Sequence, residues 1–246
     1  AALRSGKEII PVYIWNKKEG GEWSPGAAAR WWLHHALASL GNDIQSHGGS
    51  LILQKGRAEE IIPRLAKSLS ADTLYFGRTY DPAGLATEKA VELASKGQNI
   101  TIESFNTSLL NEPWEIKNGS GRPFQVFTPY WRKSRAGIYR QPADYSINSL
   151  SFSTVQSLGY KLDELELLPS HNWHTKLSEH WDVSEDAAHK LIQRTADVIT
   201  RSYATARNIP SKDGTSRLSP YLAWGLVSPR QICQAVLTAD NKGGHR

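Results

Sequence analysis

The 246-residue chain has no methionine and a single cysteine, Cys233. One thiol excludes an internal disulfide and any metal centre built from several cysteines. Its place on the helix expected after Ser228 points to a buried apolar role. Eight histidines are scattered along the chain, none at a metal-ligand spacing. His34 and His35 are adjacent in an expected helix, where neighbouring side chains diverge, and are read as structural. No apolar run is long enough to span a bilayer and no signal-peptide pattern opens the chain, so a cytoplasmic, monomeric protein with no membrane partner is expected. The missing methionine, and an opening Ala1-Ala2-Leu3-Arg4-Ser5-Gly6 that reads as the last turn of a helix, point to a piece of a longer polypeptide. The tail from Asp240 to Arg246 reads as an arbitrary stop.

What is present is a chain with 39% hydrophobic residues, enough for a sizeable core in one large or two ordinary domains. The net charge of +5 is unevenly spread. Residues 1–116 hold 12 basic and 13 acidic side chains, and 144–200 hold 4 and 9. Residues 117–143 hold 6 basic and no acidic ones, and 201–246 hold 7 and 2. The first basic block is interleaved with Phe124, Phe127, Tyr130, Trp131 and Tyr139. Such a mixture can hold a polyanion while stacking on flat surfaces. It can equally be a basic connection whose aromatics pack onto the domains it joins.

To about residue 117, short β-branched runs alternate with helical periodicity. Glu8–Trp15, Leu51–Gln54, Thr73–Phe76 and Asn99–Glu103 read as buried strands. Helices are expected near 25–46, 58–69 and 83–96, the first with an apolar face of Ala29, Leu33, Ala36, Leu37, Leu40 and Ile44. This alternation implies right-handed βαβ crossovers and a parallel sheet. From 118 to 180 periodicity fades and Gly, Ser and Pro become frequent, as in a long connecting segment. Ser184-Glu185-Asp186 is an N-cap followed by acidic first-turn residues. An amphipathic stripe then runs from Ala188 to Ala206 and opens a helical domain over 181–246.

The run Gly214-Thr215-Ser216-Arg217-Leu218-Ser219-Pro220 gathers hydroxyls, a guanidinium and free backbone N–H groups, with Ser219-Pro220 reading as an N-cap and a first-turn proline. Arg217 supplies a planar, permanently charged fork for phosphate or carboxylate oxygens. Tyr203 and Arg207 precede this run, and Gly225-Leu226-Val227-Ser228-Pro229-Arg230-Gln231 follows it.

In this order the residues resemble the cofactor-binding segment of the DNA photolyase/cryptochrome family. Further matches are Gly26-Ala27-Ala28-Ala29-Arg30-Trp31-Trp32-Leu33, Arg78-Thr79-Tyr80-Asp81-Pro82, Leu109-Leu110-Asn111-Glu112-Pro113 and Val126-Phe127-Thr128-Pro129-Tyr130-Trp131. The resemblance covers nearly the whole chain. It implies an α/β, Rossmann-like parallel-sheet domain (1–117), an interdomain linker (118–180) and the start of an all-helical FAD-binding domain (181–246). It also implies that the family's first strand and much of its helical domain are outside these residues.

By position, Tyr203, Thr215, Ser216, Arg217, Leu218 and Ser219 resemble FAD contacts, and Arg207 a contact to DNA phosphate near a lesion. For Arg207 the plainer reading is a surface ion pair with acidic residues of its own helix. Catalytic residues are expected beyond residue 246. The implied activity is light-driven repair of pyrimidine dimers in ultraviolet-damaged DNA, a carbon–carbon lyase reaction. The alternative is a cryptochrome, a blue-light photoreceptor with FAD that signals through a protein partner. An unrelated nucleotide-binding protein is disfavoured, since no G-x-G-x-x-G follows the strands. Family members often carry a folate or deazaflavin antenna. Here Ala83-Gly84 stand where folate-binding members can show Asn-Glu, so the antenna type cannot be read from these residues.

Overall fold

The computed structural model describes residues 2–135, Pro142, 147–155 and 158–242, with backbone alone for 240–242. Tyr139 and the last four residues of the tail lie outside the described residues. The chain forms two compact units, one of Ala1–Phe105 with Tyr145–Val183 and the other of Asn106–Asp144 with Ser184–Arg246. Part of the stretch read from sequence as a connection thus packs within the first unit.

The first unit carries α1 (Ala2–Ser5), β1 (Val12–Trp15), α2 (Ala27–Ser46), β2 (Ile52–Lys55), α3 (Ala58–Ser68), β3 (Thr73–Gly77), α4 (Pro82–Ala94) and β4 (Thr101–Phe105). β1 pairs parallel to β2 with Val12 opposite Ile52, and β3 pairs parallel to β4 with Thr73 opposite Thr101. The expected parallel α/β class is therefore observed, as two separate two-stranded ladders. The first strand begins four residues later than its pattern implies. Pro11 has no N–H to donate, although its carbonyl still accepts from Ile52 at 2.9 Å. Ile9 instead makes an isolated parallel bridge to Phe152.

On α2 the buried positions are Trp31, Trp32, Leu33, Leu37 and Ile44, whereas Leu40 is 39% exposed. The apolar face is turned towards the two indoles because each brings far more surface to bury than an alanine or leucine. Trp32 meets Trp181 edge-on at 5.2 Å, joining α2 to the later segment of the same unit. The Asp81 side chain caps α4 by accepting from the Gly84 N–H at 3.0 Å. The Thr79 N–H and hydroxyl both donate to Glu88, so the Arg78–Pro82 turn is anchored to that helix.

The second unit begins with α5 (Phe127–Ser134). Its buried Ser134 hydroxyl accepts from the Asn111 side-chain amide at 2.9 Å. After the short α6 (Thr175–Ser178) of the first unit, the second resumes with α7 (Glu185–Arg194), a π-helical turn (Thr195–Ile199), α8 (Thr200–Ala206), α9 (Ser219–Ala223) and α10 (Pro229–Lys242). Ser184 caps α7 as its sequence implies, accepting from the Ala187 N–H at 3.1 Å. The stripe Ala188, Ile192, Ala196 and Ile199 is buried, and α10 packs against both α7 and the π turn.

Candidate anion-binding site

The site is built at the loop between α8 and α9. α8 ends at Ala206, and Gly214 returns the chain onto that end. A Cβ on Gly214 would lie 2.6 Å from the Ala206 methyl and 2.7 Å from its carbonyl carbon, so the loop seats directly on the helix terminus. A second tether comes from α7, where Arg194 Nη2 donates to the Asp213 carboxylate at 2.7 Å. The same carboxylate faces Arg217 Nε at 3.6 Å. Two guanidiniums thus share one carboxylate, and the cluster keeps a net positive charge.

Arg217 has φ +54°, a left-handed backbone uncommon for a residue with a side chain. This conformation turns the chain sharply between exposed Thr215 and exposed Ser219. Leu218 points inward, 2% exposed, and Tyr221 is buried with it. Among the described residues the Thr215 and Ser219 hydroxyls have no hydrogen-bond partner, whereas Ser216 Oγ accepts from the Leu218 N–H at 3.4 Å. A half-exposed guanidinium beside two unused hydroxyls is chemically suited to an oxyanion.

Ser219 is not the cap its sequence implies. It is the first residue of α9, Leu218 precedes it, and no side chain caps the helix. Pro220 fits the first turn because it has no N–H to leave unsatisfied. The later Ser228-Pro229-Arg230-Gln231 does form a reciprocal cap for α10. The Ser228 N–H donates to Gln231 Oε1 at 2.7 Å, and the Gln231 N–H donates to Ser228 Oγ at 3.3 Å. Arg230 Nε, just inside, is buried and has no hydrogen-bond partner among the described residues.

Tyr203 and Arg207 lie together at the end of α8. The Arg207 guanidinium is 5.3 Å from the centre of the Tyr203 ring, which is 45% exposed. Among the described residues Arg207 has no ion-pair partner, so the surface pair weighed from sequence is not formed. Leu218, one of the cofactor contacts implied by resemblance, can offer a ligand only its main chain, since its side chain is in the core. Arg194, Asp213 and the packing of Gly214 were not singled out from sequence. Arg194 and Asp213 are separated by 19 positions, and no local pattern links them.

The first basic block presents its aromatics outward on α5. Phe127 is 71% and Trp131 42% exposed, and their rings are nearly parallel at 7°, 6.4 Å apart.

Residues 1–146 match the family model for DNA photolyase. The chain is 37% identical over 237 residues to a deoxyribodipyrimidine photo-lyase of Agrobacterium fabrum, covering 96% of this chain and 49% of that protein. It is 28% identical to cryptochrome-1 of Arabidopsis thaliana, over 96% of this chain and 35% of that one. The crystal structure of a bacterial class III photolyase from Agrobacterium tumefaciens superposes with a TM-score of 0.85 at 37% identity, covering 95% of this chain and 48% of that chain. A Synechocystis cryptochrome at 20% identity shares the fold, with a TM-score of 0.80 over all of this chain and 53% of the other. The chain spans about half the length of the photo-lyase it matches.

Proposed function

The chain belongs to the DNA photolyase family, and from that premise we propose that it is part of a deoxyribodipyrimidine photo-lyase that holds FAD and repairs cyclobutane pyrimidine dimers in DNA. The observation that carries this reading is the loop itself. Arg217 stands between two unused hydroxyls, on a turn held by Gly214 and by the Arg194–Asp213 pair. Thr215, Ser216, Arg217 and Ser219, with the Leu218 main chain, would hold the diphosphate of the cofactor, and Tyr203 would flank it. Reduced FAD, when bound and excited, supplies the electron that opens the dimer.

The residues of this chain bind and orient. Arg217 neutralises part of the diphosphate charge, and its fixed backbone means that little order must be gained on binding. Arg207, with no carboxylate partner among the described residues, is available to a DNA phosphate, with the Tyr203 ring supporting its guanidinium. The wholly basic 117–143 block adds attraction for a polyanion. Blue-light-dependent repair of ultraviolet-irradiated oligothymidylate, measured on the chain joined to the remainder of a relative's length, tests the proposal. Loss of dimers only in the light supports it.

The similarity to plant cryptochrome-1 favours a second reading, a flavin photoreceptor. Normal flavin content without repair would select that reading over the first.

A further inference from the structure

The helical run that carries both Arg194 and Ala206 is not one continuous α-helix. Between α7 and α8 the Thr195–Ile199 turn is π-helical. The Thr200 N–H donates to the Thr195 carbonyl, five residues back, whereas an α-helix would direct it to Ala196, four residues back. The Ala196 carbonyl accepts from the Thr200 hydroxyl at 2.9 Å. A threonine here thus lets the backbone skip a partner while keeping that carbonyl hydrogen-bonded. The turn packs inward through Thr195, Ala196 and Ile199, which are buried, and turns the apolar Val198 outward, 58% exposed.

The turn decides which residues share a face. Ala206 follows Arg194 by twelve positions. In an unbroken α-helix, at about 100° per residue, their side chains would stand roughly 120° apart round the axis. A π turn takes up one extra residue, which brings that separation to about 20°. Arg194 and Ala206 then face the same way, and they meet consecutive residues of one loop. Arg194 Nη2 donates to the Asp213 carboxylate at 2.7 Å and reaches the Asp213 carbonyl at 3.4 Å. Gly214 seats on Ala206, where a Cβ would lie 2.6 Å from the Ala206 methyl.

We infer that the Thr195–Ile199 π turn is a positioning element of the anion loop: it sets Arg194 and Ala206 on one face, so that the loop is tied at two adjacent residues and presents Thr215, Arg217 and Ser219 in a fixed arrangement. Without the extra residue α8 would be rotated by about 100° relative to α7. Either anchor could then hold the loop, but not both together. Pre-organisation of this kind lowers the ordering cost of binding, which is where a single buried turn remote from the ligand gains influence over it. That the ligand is the flavin diphosphate rests on the function proposed above; that the turn sets the loop does not.

The test compares two variants at one position. Deleting Val198 returns the α-helical register, whereas Val198→Ala keeps the register and trims only an exposed side chain. In the 246-residue chain the deletion should speed amide hydrogen exchange at Gly214 and Leu218 by about tenfold or more, relative to Leu191 and Ile192 of α7, which report general loosening of the unit. Val198→Ala should leave all four amides as in the parent. In a chain completed to the length of its relatives, the deletion should weaken flavin binding by about tenfold or more. An alanine inserted after Arg201 of the deletion variant gives the helix its extra residue back and should restore both readouts. If the deletion variant does not fold, Thr200→Val, which removes the hydroxyl from the Ala196 carbonyl at full length, carries the same measurement, with about threefold faster exchange expected at Gly214 and Leu218. Exchange there that does not rise above the α7 reference, or no rescue by the inserted alanine, would overturn the inference. Faster exchange with unchanged flavin affinity would uphold the positioning of the loop and overturn its cofactor reading instead.

Discussion

The guanidinium of Arg207 sits over the ring of Tyr203, one helical turn before it, 5.3 Å from the ring centre. A cation on a half-exposed ring is held by about 0.5–1 kcal/mol, enough to bias its position while leaving its N–H groups open to a phosphate. In a chain completed to the length of its relatives, Arg207→Ala should weaken binding of irradiated DNA by about 1.5–3 kcal/mol. The dependence of log K on log salt should lose roughly one phosphate contact. Tyr203→Leu should reproduce part of that loss, and Tyr203→Phe, which keeps the ring face, should retain more. Unchanged DNA affinity in a flavin-replete Arg207→Ala protein would remove Arg207 from the interface.

Arg217 separates stability from binding. It is half-exposed and its contact with Asp213 is long, so Arg217→Ala should change unfolding free energy by no more than about 1 kcal/mol. Flavin affinity of the completed chain should fall by about 1.5–3 kcal/mol, roughly tenfold or more. Denaturant unfolding and flavin titration on one preparation measure both. A large stability loss with unchanged flavin affinity would reassign Arg217 to the fold.

How far these features could be read from sequence depended on whether their cause is local. The Ser184 cap, the acidic first turn of α7 and the β-branched cores of the four strands are set by neighbours a few positions apart, and they stand where the pattern puts them. Pro11 shortened the first strand by a local rule that its apolar run concealed. On α2 the expected Leu33, Leu37 and Ile44 are buried, but Leu40 is not and Trp31 and Trp32 are, because periodicity weighs Leu40 like Trp31 whereas burial follows surface area. The meeting of Arg194 with Asp213 and the seating of Gly214 on Ala206 depend on chain segments brought together by folding. Of the site, sequence therefore pointed to the hydroxyls and Arg217, while the groups that hold the loop emerged from the structure.

His34 and His35 provide a pH test of the first unit. Burial lowers the pKa of both. For His34, His174 lowers it further while Asp163 opposes the shift, and for His35 both His34 and His174 lower it. In the unfolded chain each histidine titrates near its ordinary value, about 6.5. As pH falls below that value the unfolded state takes up protons before the folded state does, so stability declines. The stabilisation is complete above about pH 6.5 and is lost as pH drops towards the lower folded values. Thermal unfolding of the chain across this window should show the decline, and His34→Gln with His35→Gln should flatten it. A double variant with the same slope as the parent would place the acid sensitivity elsewhere.

Two glycines should respond to alanine in opposite directions, which isolates the packing of the anion loop from general effects of the substitution. Gly41 lies inside α2, and a Cβ there meets nothing within 4 Å. Alanine removes the backbone freedom that a helical glycine must surrender, so Gly41→Ala should stabilise the chain by about 0.5–1 kcal/mol. At Gly214 the added carbon would press on the Ala206 methyl and carbonyl at 2.6–2.8 Å. The loop must then lift from the end of α8, and Gly214→Ala should destabilise by about 1–3 kcal/mol. Lifting also pulls Asp213 away from Arg194 and releases the left-handed turn at Arg217. The completed chain carrying Gly214→Ala should therefore lose flavin affinity even at temperatures where it stays folded. Thermal unfolding and flavin titration of both variants check this, and full flavin affinity in a folded Gly214→Ala protein would show that the loop binds without its seat on Ala206.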